Sequence, residues 1–528
     1  MTTSDNWTGG EGPKGFDSVL FPLAAGGTAS NDYASLTLSG VRFAAGAGEF
    51  AISGNGLDVR AVTNESANVQ TFSCAVRDSG ATLGLGGSGD IAFVGGLTTG
   101  ASTEITKGGA GTVTVAGKGP GGRLVLNEGG FRLADLGSNT TNPFSTASDA
   151  MSVAGTLDLG GATQTVTMSS TSGETFALDG FTLTNGVVKI ATGNHYFAPN
   201  GSFTLCGSGT EVRIEGTDGP VLNFARGDSE GKMHVKIADG ARLYSHSSQE
   251  NVYVASGSGV SEVTIELQNG GRFHPDNCDT QFGRSGNTAI MFGEGSWVDV
   301  NRNAFYLVGD SAGAVATVNI TNGNFKAGLV CGGRSGWESA PDVSVAEFNM
   351  KGGTLNVRGL VAYNIASFRA VLDGVTITPD QDNDDFFKVD GYAGGGTPFK
   401  IGEDGIEFTT DHAIGIAQTL AGEGGITVSA GTLTVTTNQA YTGATVLKSG
   451  TTLTATGMEF AGSISLESGA SITVPEIAEG KKFVRIAKAA AFEGVDETEK
   501  DDDGNHFFTT FDGWLCYGRR PGFSLKIR

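Results

Sequence analysis

Positive charge is scarce in this chain. Its 528 residues carry 34 Lys and Arg against 56 Asp and Glu, a net charge of −22, and only 17% of its residues are charged. A nucleic-acid binder needs the opposite sign, and anionic lipid would repel this surface, so neither is an expected partner. Long apolar runs are missing too: none approaches the roughly 18 residues that span a bilayer as a helix, which argues against direct membrane insertion. Cysteine is limited to Cys74, Cys206, Cys278, Cys331 and Cys516, spread singly with no C-x-x-C pair. That spacing argues against a thiolate metal site, and an odd count rules out a fully paired disulfide framework; each reads as a small buried hydrophobe. The N-terminus lacks a basic region, and the short apolar patch Val19–Ala25 is broken by Pro22 and preceded by Asp17, so no export signal is visible.

Glycine is what the chain has in excess. Its 85 residues are about 16% of the total, more than twice the roughly 7% of ordinary proteins. They show no Gly-X-Y period, which excludes collagen, and 38% hydrophobic content with 31 Phe is too apolar for a disordered linker. The recurring word is a short alternating strand, a Gly-containing corner and another short strand, as in Val318-Asn-Ile-Thr-Asn-Gly-Asn-Phe325. Close copies run through Val235–Leu243, Ile265–Phe273, Phe348–Leu355 and Ile426–Leu433. Apolar residues at alternate positions point to one face, and glycine follows where the chain must bend with positive φ.

Corner glycines at 240, 271, 295, 323 and 353 are 24 to 31 residues apart, and those at 431, 450 and 469 are 19 apart. Strand-and-corner periods of this size predict a β-solenoid, in which each coil stacks on the last because one coil cannot bury its own apolar face. A sandwich or barrel is the rival, but it has a fixed strand number, whereas the pattern runs from about Leu36 to Val474. No window shows a helical apolar period, and the best helical fragment, residues 487–491, is too short to stand alone. The fold expected is all-β: an elongated right-handed parallel β-helix over 36–475, an N-terminal cap over 1–35 and a C-terminal β capping segment over 476–528. Inside such a helix aliphatic residues form ladders, with Leu355, Leu433 and Ile472 pointing inward, and Thr ladders lie outside. Phe523, Leu525 and Ile527 share one face of a terminal hairpin expected over the last coil.

Two segments go further. Ile105-Thr-Lys-Gly-Gly-Ala-Gly-Thr-Val-Thr-Val-Ala-Gly117, and Ala430–Val446 with its Tyr441-Thr-Gly-Ala-Thr445 leading to Lys448-Ser-Gly-Thr-Thr-Leu453, resemble the autotransporter-associated β-strand repeat. The resemblance strictly covers about a tenth of the chain. It implies a bacterial passenger-type parallel β-helix displayed or secreted at the cell surface, with no catalytic residues to carry over. The C-terminal membrane barrel that follows such passengers is not visible in the last residues of this chain.

Candidate chemistry is sparse. The acidic residues Asp384-Asp385 and Asp501-Asp-Asp503 read as solvated loops. Glu499-x-Asp501-x-Asp503-Gly504 places oxygens as an EF-type calcium loop does, but begins with Glu and has Thr510 at the twelfth position; Asp380-x-Asp382-x-Asp384 puts Asp385 where glycine is needed. His195, His234, His246, His274, His412 and His506 stand alone, without ligand spacing. Trp297, Tyr306, Trp337, Tyr363 and Tyr392 fall where the coils lengthen and binding loops protrude, although Trp297 reads as corner packing. No catalytic, cofactor-binding or metal set is assigned.

The chain therefore reads as a non-enzymatic surface or secreted β-solenoid, a stalk or adhesin-like structure whose partner is a carbohydrate or a host or cell-surface protein. The alternative is a polysaccharide lyase or glycoside hydrolase on the same scaffold. Small-angle scattering tests the stacking directly: the radius of gyration should lie far above the roughly 24 Å of a compact globule this long. A compact profile would sink the solenoid assignment.

Overall fold

Alternation of apolar and polar residues dictates the local structure. In Ser261–Gln268, Val263, Ile265 and Leu267 are buried while Glu262, Thr264 and Glu266 turn outward, the period of a strand with one face in a core. The computed structural model describes residues 1, 3, 7–22, 24–78, 80–147, 150–167, 175–176, 180–191, 196–197, 201–216, 223–224, 231–247, 252–255, 261–276, 279–283, 288–301, 303–307, 313–333, 344–363, 365, 367–392 and 394–521. Its regular elements are strands. Among the described residues no helix is long and apolar enough to cross a membrane.

Along the stack, strands pair in parallel with strands one coil further on, and the fold is a parallel β-helix. Val315 lies opposite Val345, which lies opposite Ser367. The step varies from 18 residues, between the paired Val113 and Phe131, to 32, between the paired Phe203 and Val235. Two compact units divide the chain: one holds 1–226, 230–252 and 268–274, the other 227–229, 253–267 and 275–528.

In the first unit one ladder runs from Ser18–Phe21 to Met151–Val153, and a second from Gly27–Asn31 through Phe50–Gly54 and onward to Gly231–Ala238. Segment 1–35 thus contributes the first strands of two parallel ladders. A third face is built by Thr37–Leu38 to Leu97–Thr99 and, further along the chain, by Thr163–Thr167 to Arg242–Ser247.

In the second unit the corresponding ladders include Thr288–Glu294 to Ala440–Tyr441, Trp297–Asp299 to Phe492–Glu493, and Ala413–Ile416 to Ser471–Ile472. The pattern then changes direction. Phe483–Lys488 pairs in parallel with Met458–Glu459 on one side and antiparallel with Trp514–Gly518 on the other, and Trp514–Gly518 pairs antiparallel with His506–Thr509. This small sheet is the C-terminal β capping segment, with Phe508, Trp514 and Cys516 in its core and Phe483 against them. Residues 487–488, part of the best helical fragment, end one of its strands. The face expected from Phe523, Leu525 and Ile527 lies outside the described residues.

Leu355, Leu433 and Ile472 are buried, as the alternation requires. Phenyl rings continue from coil to coil: Phe282, Phe305, Phe325 and Phe348 have successive centroid separations of 5.6, 5.2 and 5.1 Å. Hydroxyl ladders face outward, with Thr452 to Ser471 at 2.9 Å and Thr454 to Thr473 at 2.7 Å.

The corners depart from expectation in one respect. Positive φ is present at Gly240, Gly295, Gly353, Gly431, Gly450 and Gly469, but next to Gly271 and Gly323 it is carried by Asn269, Gly270 and Asn322. Gly271 and Gly323 are glycine for want of room. A β-carbon there would lie 2.0 Å from the Ile237 carbonyl oxygen or 2.6 Å from Ile320 Cγ2. In the tightest coils this becomes a column: a β-carbon at Gly424 would meet the Gly402 oxygen at 1.8 Å, one at Gly443 the Gly424 carbonyl carbon at 2.4 Å, and one at Gly462 the Gly443 oxygen at 1.9 Å.

Backbone cannot yield as a flexible side chain does, so Gly462→Ala should cost about 2 kcal/mol or more. Gly395→Ala, where an added β-carbon meets nothing within 4 Å, should change stability by less than about 0.5 kcal/mol. Chemical denaturation of the two variants compares them, and equal losses would refute the steric account.

Candidate functional site

Several ladders end, among the described residues, in a strand with a neighbour on one side only, and one of these borders a cleft. Ser471–Ile472 is the last strand of its ladder and, among the described residues, has a neighbour on one side only. The N–H groups of Ser471 and Thr473 donate back to the Thr451 and Leu453 carbonyls at 2.9 and 2.8 Å. Alternate residues of a parallel strand bond to opposite sides, so Ile472 and Val474 direct their backbone groups away from the stack. Beside them is a cleft of about 630 Å³, lined also by Val495, Asp496, Glu499, Lys500, Phe507 and Tyr517. Glu467 and Asp501 complete an acidic rim, and Glu467 is also paired with Lys448 at 2.5 Å.

The acidic loop on this rim is held by its own carboxylate. Asp501 Oδ2 accepts the Tyr517 hydroxyl at 2.7 Å and Asn505 Nδ2 at 3.0 Å, while Oδ1 accepts the N–H groups of Asp503 at 3.0 Å and Asn505 at 2.8 Å. The Tyr517 hydroxyl, then Asn505, pull the Asp501 carboxyl down to about 2. Four donors meet its two oxygens, so the residue that spacing marked as a calcium-type ligand acts as a loop staple. Asp496 does similar work, accepting from the Thr498 hydroxyl at 2.6 Å and the Thr498 N–H at 2.7 Å.

The other acidic loop is tied down separately. Asp382 Oδ1 accepts the Ala413 N–H at 2.8 Å and contacts His412 Nδ1 at 3.2 Å, and the Ala413 N–H leads in lowering its pKa. Asp380 pairs with Arg358 at 3.6 Å. Asp385 differs: burial pushes its carboxyl up, and its buried Oδ1 has no hydrogen-bond partner among the described residues. Among the described residues no group of three or more His, Cys, Asp or Glu is arranged to hold a metal ion.

A second surface forms on the outer face of the first unit, where Lys189 lies opposite Arg213, and Arg213 opposite Tyr244. The Arg213 and Arg242 guanidinium carbons stand 5.1 and 4.5 Å from the Tyr244 ring centroid, and the His274 ring meets it edge-on at 5.2 Å. Arg242 Nη2 is 2.7 Å from His274 Nδ1. A guanidinium only donates, so this bond requires an unprotonated Nδ1. Glu211 at 2.8 Å and Glu215 at 3.3 Å hold Arg213, and Glu215 also pairs with Lys189 at 2.6 Å. Such a face offers guanidinium edges and an aromatic surface, groups that meet anions and sugars. In the sequence His274 stands alone, and nothing at ligand spacing marks this cluster. The available signal was a cation, Tyr or His recurring one coil apart.

Of the aromatics singled out, Trp297 is 44% exposed on a strand rather than packed in a corner. Tyr306, Tyr363 and Tyr392 are half-buried, and Trp337, His195 and Cys278 lie outside the described residues. Cys74, Cys331 and Cys516 are buried free thiols, as expected of small hydrophobes. Cys206 instead sits at a corner with its thiol 3.1 Å from Asp239 Oδ2, which raises its pKa.

The Tyr517–Asp501 bond has a pH signature. Asp501 ionises near 2 in the fold and near 3.9 when unfolded. Its contribution to stability is therefore fully present above about pH 4 and is lost as pH falls toward 2. In Tyr517→Phe the carboxyl should titrate closer to its ordinary range, and acid loosening of the cap should begin at higher pH. Carboxylate carbon NMR reads the first effect; an Asp501 still titrating near 2 would show that the hydroxyl is not its anchor.

No family model, no curated protein and no solved structure matches this chain.

Proposed function

We propose that this chain is a non-enzymatic surface or secreted β-solenoid that serves as a stalk or adhesin-like binding surface, with a carbohydrate or a surface protein as its partner. The observation that carries this reading is how its acidic clusters are used. Asp382, Asp496 and Asp501 spend their oxygens on donors of their own or adjacent loops, whereas a general acid or base must present its carboxyl to a substrate. The inward positions are given over to aliphatic and phenyl ladders, which leaves the outer faces and coil ends for recognition.

One observation favours the second reading, a polysaccharide lyase or glycoside hydrolase. Asp385, its carboxyl raised by burial, has the character of a general acid. Incubation with a panel of acidic and neutral polysaccharides, assayed for reducing ends and unsaturated products, separates the two. The expected result is no turnover, with any carbohydrate binding unchanged in Asp384→Asn and Asp501→Asn. Reproducible product that disappears in Asp385→Asn would establish the enzyme instead.

A further inference from the structure

The cleft beside Ile472 and Val474 combines three features that specify one kind of ligand. An edge that is unpaired among the described residues supplies backbone donors and acceptors at Ile472 and Val474. The inward column Ile414, Leu433, Leu453 and Ile472 stops at this edge, so the next position in it requires an apolar side chain. The rim carries Glu467, Asp496, Glu499 and Asp501 against Lys500.

We propose that this edge is a β-augmentation site for an extended peptide of a partner protein that alternates apolar residues with Lys or Arg. The added strand would bond its backbone to Ile472 and Val474, place its apolar side chains over Ile472, and turn its cations toward the rim. Main-chain bonding supplies affinity in this mode, and the alternating side chains supply specificity. The acidic rim also selects against acidic segments, which an open edge would otherwise accept. The inference goes beyond the reading as a surface stalk and does not depend on it. In sequence, Phe523, Leu525 and Ile527 alternate with Ser524, Lys526 and Arg528, so the chain's own last residues are the competitor a test must separate.

Fluorescence anisotropy of a labelled synthetic peptide alternating Val and Lys, titrated with the full chain at low ionic strength, provides that test. Saturable binding is expected, together with loss of binding when alternate peptide amides are N-methylated. A peptide alternating Val and Glu should bind at least about tenfold more weakly, and Glu467→Lys with Glu499→Lys should weaken the Val–Lys peptide by a similar factor. Absence of binding, or equal binding of the N-methylated peptide, would overturn strand addition. Binding that appears only in Leu525→Ser with Ile527→Ser would show that the chain's own last residues hold the edge, and would overturn the partner.

Discussion

The closeness of successive coils governs the rest of this structure. Parallel pairing sets neighbouring backbones about 4.8 Å apart, and at the corners the chain turns without moving further from the coil beneath. No side chain fits between. The glycine columns at 87, 109 and 129 and at 424, 443 and 462 follow from that spacing, since a β-carbon at any of these positions would come within 2.5 Å of backbone in the adjacent coil. Where there is more room the corner is turned by Asn or Asp in the left-handed region, as at Asn185, Asp239 and Asn269. Their side chains then bond across the coils, Asn185 to Asp158 at 3.2 Å and Asn269 to Asp239 at 3.1 Å.

The same closeness leaves backbone groups that strands cannot satisfy, and a few buried polar side chains serve them. Gln70, Gln164 and Gln439 repeat one solution: the side-chain carbonyl accepts an N–H from Phe50, Phe144 or Leu420, 19 or 20 residues earlier, at 2.9 to 3.0 Å. Each amide nitrogen then donates to nearby carbonyls. Lys107, only 1% exposed, directs its ammonium to the carbonyls of Gly108, Gly109 and Glu128 at 3.0, 2.6 and 3.1 Å. Burial lowers its pKa, yet three acceptors compensate the charged form. Tyr441, fully buried, bonds Thr445 at 2.7 Å across the turn that contains Gly443. Lys107, Tyr441, Gly443 and Thr445 thus each have a local structural task.

Much of this fold is legible in the sequence because its two periods are short and physical. Alternation placed Leu355, Leu433 and Ile472 inside, and the recurring glycine marked the corners at 431, 450 and 469. The pattern misattributed Gly271 and Gly323, since a positive φ and a close approach both call for glycine and only coordinates distinguish them. The candidate sites were less legible. Tyr244 meets Arg213 and His274 because they are one coil away, and with coil lengths between 18 and 32 residues the sequence does not say which residue will stand above which. The cleft was hidden for another reason: it is lined by the last strand of one ladder together with residues of the antiparallel C-terminal sheet and the loop before it, where the repeat no longer gives a rule.

A chain with this connectivity meets nearly the same entropic problem at every step, however long it becomes. The cost of closing a loop grows only with the logarithm of its length, so closing a 30-residue coil rather than a 19-residue one costs about 0.4 kcal/mol more. Each coil has a ready template in the one before it, and the sequence distance between bonded residues does not grow with chain length. Within each unit, folding can therefore propagate as a series of similar short closures, with the first coil, which has no template, as its slow event.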